Sequence, residues 1–181
     1  TNWTEVNDLN TTRQAFGGFG SATSALAFGN EPSSAITELW NGTNWTEVAD
    51  LATARFEMGG TGPSNAGGLA ISGSAPPYTA ATEEWSGAGT LPAGAWTTVN
   101  SLNTAKSGVS SSKTGTATAG LVYGSYQAPS KSQTELYNGT NWTEVNDLNN
   151  GRGLAGGGGT STAALMATGI YPVSGSTLDA T

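Results

Sequence analysis

Short apolar runs alternate along the chain with turn-forming stretches of Gly, Asn, Ser and Pro, and the alternation itself repeats. Four apolar runs end on a glycine: SALAFG, GGLAISG, GLVYG and AALMATG. The first three lead into TELW, TEEW and TELY, and each of these into NWTEV or AWTTV. Aligned on the tryptophan of that last segment, the repeat falls at Trp3, Trp45, Trp96 and Trp142, with spacings of 42, 51 and 46 residues. Ten positions after each tryptophan stands a base, at Arg13, Arg55, Lys106 and Arg152, followed by a glycine-rich run.

Each unit therefore predicts four short strands. Strand a is the glycine-rich run (AFGGFG, EMGGTG, GVSSS, LAGGGG), b the apolar run, c the TELW-type segment and d the NWTEV-type segment. The c–d connection NGTN places Asn-Gly where a tight hairpin needs positive φ. In one unit it is swollen to SGAGTLPAGA, which accounts for most of the 51-residue spacing. Four strands in roughly 45 residues is the size of a β-propeller blade, and radial stacking would bury both faces of each sheet. Glycine belongs nearest the axis, where sheets converge, and tryptophan toward the rim. The predicted fold is an all-β propeller of four-stranded antiparallel blades, with about four repeats in a single array over residues 1–181. The units run 1–12 (partial), 13–51, 52–102, 103–148 and 149–181 (partial). Four d segments against three complete c segments lead to the expectation that the chain is a window on a longer array.

Composition narrows the chemistry. The chain has no Cys and no His, which removes disulfides, thiol nucleophiles, imidazole bases and the usual zinc ligands. No apolar run reaches the roughly 20 residues that cross a membrane. Net charge is −7, and four of the six bases occupy the repeat position, so no basic surface is left for nucleic acid.

The pattern resembles the kelch-repeat family of β-propellers. Trp40, Trp85 and Tyr137 take the aromatic place that precedes the tryptophan, Trp3, Trp45, Trp96 and Trp142 the tryptophan place, and Arg13, Arg55, Lys106 and Arg152 the basic one. The family's double glycine in strand b is reduced here to Gly29, Gly73, Gly124 and Gly169. The near-verbatim repetition is similar in style to kelch-like arrays of phage tail-fibre, virion-surface and bacterial surface proteins. That likeness implies an extracellular or virion-surface location.

Candidate sites follow from what recurs and what does not. Where Arg stands at the basic position, acids precede it: Glu5 and Asp8, Glu47 and Asp50, Glu144 and Asp147. Where Lys106 stands, Thr98 and Ser101 replace them. This predicts an Arg–carboxylate clasp with Asp8, Asp50 and Asp147 as partners. Glu38, Glu83, Glu84 and Glu135 recur, as structural positions do, while Glu31, Glu57 and Asp179 stand alone. NDLN and NDLNN offer oxygens to calcium, but turn chemistry accounts for them equally. GTNW is similar to the tail of the aspartate box of sialidase propellers, without its Asp. The sequence thus predicts no catalytic residue, no cofactor, no metal and no enzymatic activity. The b–c connections vary most and carry Tyr78, Tyr126 and Tyr171, so a host-surface glycan or protein is expected to bind there. A purely structural fibre segment and a polysaccharide-degrading propeller are the alternatives, with homo-oligomers expected.

Overall fold

The computed structural model describes residues 2–87, 94–127, 131–171 and 176–177, the last short strand pair by its backbone. It is all-β, with no helix among the described residues. Strands β1 (Gly17–Ser21), β2 (Ser24–Asn30), β3 (Ser34–Trp40) and β4 (Trp45–Val48) form one antiparallel sheet in chain order. A second sheet contains β5 (Gly59–Ser64), β6 (Gly67–Ile71), β7 (Thr82–Gly87) and β8 (Gly94–Val99). The third is built from β9 (Ser110–Ser111), β10 (Gly120–Ser125), β11 (Lys131–Tyr137) and β12 (Trp142–Val145). Beyond it, β13 (Gly156–Gly159) pairs with β14 (Ala164–Ala167), and β15 (Ile170–Tyr171) with β16 (Ser176–Thr177). Strands β1 to β14 fall on the a, b, c and d segments of the repeat, and β15 and β16 on the last b–c connection. Asn2–Val6 is the exception: it spells NWTEV, yet it forms no strand and Trp3 is fully exposed.

The c–d hairpins close as their sequence dictates. Asn41 Oδ1 accepts the amides of Thr43 and Asn44 while Gly42 takes φ 95°, and Asn138 and Gly139 repeat the arrangement. Exact register then sets the aromatics opposite each other: Trp40 on Trp45, Trp85 on Trp96, and Tyr137 on Trp142, with ring centroids 5.0–5.3 Å apart.

Consecutive sheets touch along their first strands, and these have little room. A Cβ on Gly60 would sit 2.6 Å from the Gly18 carbonyl oxygen of the sheet before it. In the sheet after it, Ser111 fills the equivalent place, and its hydroxyl bonds both the amide and the carbonyl of Gly60. Away from the first strands, the gaps fill with large side chains. Trp96 of the second sheet packs edge-on against Phe19 and Phe28 of the first, and its indole N–H donates to Thr37 Oγ1 at 3.0 Å. Trp142 of the third sheet packs with Leu69, Ile71 and Leu102 in the next core cluster.

The connectors between sheets hold on in both directions. After β4, the Leu51 and Arg55 amides bond the Ala35 and Ser34 carbonyls of the first sheet, and Asp50 accepts the Thr37 amide. The same connector then reaches forward: the Ala52 amide and the Arg55 guanidinium meet Glu83 of the second sheet at 2.7 and 2.8 Å. The pattern recurs at Asn103 and Lys106 on Glu135, and at Asn10, Thr11 and Arg13 on Glu38. All three ion pairs are buried, at 0–1% side-chain exposure.

This corrects the expected clasp. Its partner is the strand c glutamate, not the connector aspartate. Asp50 and Asp147 face backward onto the start of the preceding strand c, where Asp147 takes the Thr134 amide and the Ser132 hydroxyl. A short, exposed carboxylate so placed lies on the wrong sheet to meet the arginine. Lys106 keeps its glutamate although its unit lost both connector acids, so those losses were not concerted with it.

Two outcomes test the clasp. Glu83→Ala leaves Arg55 buried and unpaired and should cost about 3–5 kcal/mol in urea unfolding, whereas Asp50→Ala should cost about 1 kcal/mol, one solvent-facing hydrogen bond. Burial pushes the Glu38 carboxyl up, but hydrogen bonds from Asn10 and the Arg13 guanidinium outweigh it and hold it below its ordinary 4.5. Its contribution is therefore complete above pH 4.5 and fades as pH falls through the lower folded value. Glu38→Gln should flatten that acid limb of the stability curve.

Candidate functional site

Two residues after each base the backbone turns left-handed: Ala15, Glu57, Gly108 and Leu154 have φ of 52°, 54°, 57° and 52°. Three of the four carry a Cβ, for which this region is unfavourable by roughly 1–2 kcal/mol. The turn is held by a ladder of main-chain hydrogen bonds from sheet to sheet. Glu57 N–H donates to the Ala15 carbonyl at 2.7 Å, Gly108 to Glu57 at 3.0 Å, and Leu154 to Gly108 at 2.8 Å. Each rung leaves its neighbouring side chains on the loop face, so Phe16 and Leu154 are 43% and 45% exposed and Glu57 is half-buried.

The b–c loops are fastened to this ladder. Tyr126 donates its amide to the Ser107 carbonyl, Ser125 Oγ donates to the same oxygen, and Gln127 Nε2 donates to Ala105. A Cβ on Gly108 would meet Tyr126 Cβ at 2.6 Å and Leu154 Cδ2 at 3.1 Å, so glycine here lets the tyrosine and the leucine converge. The preceding loop reaches the same connector from the other side. Thr79 pairs with Lys106 across a β-bridge, Ser72 Oγ donates to the Lys106 carbonyl, and Tyr78 itself bridges Ser74. Tyr78 and Tyr126 thus come from different sheets to flank residues 106–108. Both present their rings to solvent, 49% and 39% exposed.

The third expected tyrosine, Tyr171, contributes its backbone to β15, and its side chain lies outside the described residues, as does Asp179. Trp45, Trp96 and Trp142 and the paired bases Arg13, Arg55 and Lys106 sit between or within sheets rather than on this face, whereas Trp3 is exposed and lies in no strand. Trp45 and Trp142 pack as described, and Arg152 donates to the Thr168 carbonyl. Of the connector acids, Asp8 is exposed, while Asp50 and Asp147 are spent on the main chain as above. Sequence reading passed over Phe16 and Leu154 and left Glu57 unassigned. Ala, Glu, Gly and Leu share no side-chain chemistry, and only a fixed offset from the base marks the position. Chemically the face offers two flat aromatic surfaces, aliphatic patches and the carboxylates of Glu57 and of Glu31 on the first b–c loop, which suits stacking on a ring with an apolar side and hydroxyl edges.

No family model matches the chain, and no curated protein matches it. Among solved structures it is similar to that of YjhT, with a TM-score of 0.65 and 13% identity, over 81% of this chain and 48% of that one. The chain thus spans about half the length of YjhT, and the two share a fold. The likeness shows the fold alone, and in its light the expectation that the chain has no enzymatic activity is withdrawn.

Proposed function

We propose that the chain is a kelch-like β-propeller segment of an extracellular or virion-surface protein, and that its b–c loop face binds a host-surface glycan. One observation carries the reading: Tyr78 and Tyr126, from successive sheets, are exposed on either side of one connector and pinned there by main-chain hydrogen bonds. Aromatic rings fixed before the ligand arrives lose little freedom on binding, and sugar rings offer apolar faces to stack on. The repeating frame would present such pairs side by side, so weak contacts gain strength through multiplicity. A second reading, in which the same face acts on the saccharide it holds, rests on Glu57, the carboxylate of the ladder.

The test is binding of the purified chain to an array of immobilised host-surface glycans, followed by calorimetry on the best ligand. Tyr78→Ala and Tyr126→Ala should each weaken binding about tenfold, one stacking contact apiece, with unchanged unfolding midpoints. An array that stays silent, or a double variant that binds as the native chain does, refutes the glycan reading. Release of reducing ends that Glu57→Gln abolishes would establish the second.

A further inference from the structure

The clasps that hold the sheets together also set the charge of the loop face. Three of the six bases are spent in buried ion pairs with three of the thirteen acids. Outside the clasps the chain therefore carries ten acids against three bases, Lys113, Lys131 and Arg152. Lys113 follows β9 on the a–b connection, at the end of the sheet opposite the b–c loops. Lys131 opens β11 on the loop side, but an acid accompanies it, since Asp147 takes the hydroxyl of the next residue, Ser132. Arg152 donates to the Thr168 carbonyl.

Around the tyrosine pair the imbalance is local. The connector flanked by Tyr78 and Tyr126 brings a base of its own, Lys106, but that side chain is fully buried and faces Glu135. The next residue on the ladder, to which Gly108 donates its amide, is Glu57, half-buried at the loop face. Glu57 in turn donates to the Ala15 carbonyl, while the exposed Glu31 donates its amide to Gln14 of the same connector. Two carboxylates thus flank the connector that precedes the tyrosines on the ladder. Among the described residues neither is paired with a base.

We infer that Glu57, seconded by Glu31, makes this face select against acidic saccharides, so that it takes uncharged or amino-bearing glycans and refuses those with carboxylate or sulfate groups. The inference rests on the glycan reading above and adds the substrate class to it. Stacking on Tyr78 and Tyr126 responds to the apolar face of a sugar and supplies affinity. The carboxylates supply choice without touching the ligand. An anionic group brought onto the tyrosines is repelled by both, and the base nearest to hand, Lys106, is already committed inside.

The test is calorimetry at low ionic strength on three matched ligands: the best uncharged glycan from the array, a form sulfated at its primary hydroxyl, and a form aminated there. The sulfated form should bind the native chain about tenfold more weakly than the parent, and the aminated form about threefold more tightly. Both differences should shrink in about 0.5 M salt. Glu57→Gln should cut the sulfate's handicap to about threefold, and adding Glu31→Gln should remove most of the remainder. Acidic glycans as the best hits, or a sulfated form that binds as well as its parent, would overturn the inference while leaving the glycan reading intact. A handicap that persists in the double variant and at high salt would overturn it too, because exclusion would then be steric. An array silent to every glycan ends both readings together.

Discussion

The fold depends on a buried positive charge that three of the connectors deliver to a glutamate in the sheet ahead. Neither Arg55 nor Glu83 has water to fall back on. Each is tolerable in the interior only while the other is in place. The connector's amides add further donors to the same carboxylate, at Ala52 for Glu83 and at Asn10 and Thr11 for Glu38. Because the connector has already bonded the sheet behind, closing the ion pair fixes the spacing and tilt of two sheets at once. A four-stranded sheet alone would keep both faces in water. The clasp is what makes one sheet the wall of the next.

Two further constraints follow from that spacing. First strands are brought so near that a side chain at Gly60 would strike the main chain of Gly18, and a serine is accepted at 111 because its hydroxyl replaces a contact with hydrogen bonds. Away from the first strands, the gaps between sheets are filled by tryptophan. Glycine where first strands meet and indole in the gaps beyond are therefore two results of one spacing between sheets, and the connector clasp maintains it.

This explains what could be read from the chain and what could not. The strands, their antiparallel order and the Asn-Gly hairpins were legible because each rests on local side-chain pattern. The clasp was half legible. A base at fixed spacing showed that a partner must exist, but near acids in sequence drew attention to Asp8, Asp50 and Asp147, while the true partner lies some 25–30 residues ahead on strand c. Linear proximity is a poor guide when a connector serves two sheets. Asn2–Val6 misled in the opposite way: it has the text of a strand, but a strand needs a neighbour to bond, and among the described residues it has none. Tyr78 and Tyr126 were found as varied loop aromatics, yet their convergence on residues 106–108 depends on main-chain bonds that leave no mark on side-chain identity.

The left-handed ladder shares that property, and it has an evolutionary corollary. Its rungs are amide to carbonyl, so Ala15, Glu57 and Leu154 hold it with a methyl, a carboxylate or an isobutyl group, and only Gly108 is kept bare, by the crowding of Tyr126 and Leu154. Selection can therefore rewrite the chemistry of the loop face at three of the four rungs while the hydrogen-bond ladder beneath them is kept. Such a surface diversifies as a combinatorial alphabet does, with specificity encoded in letters that the grammar of folding never reads.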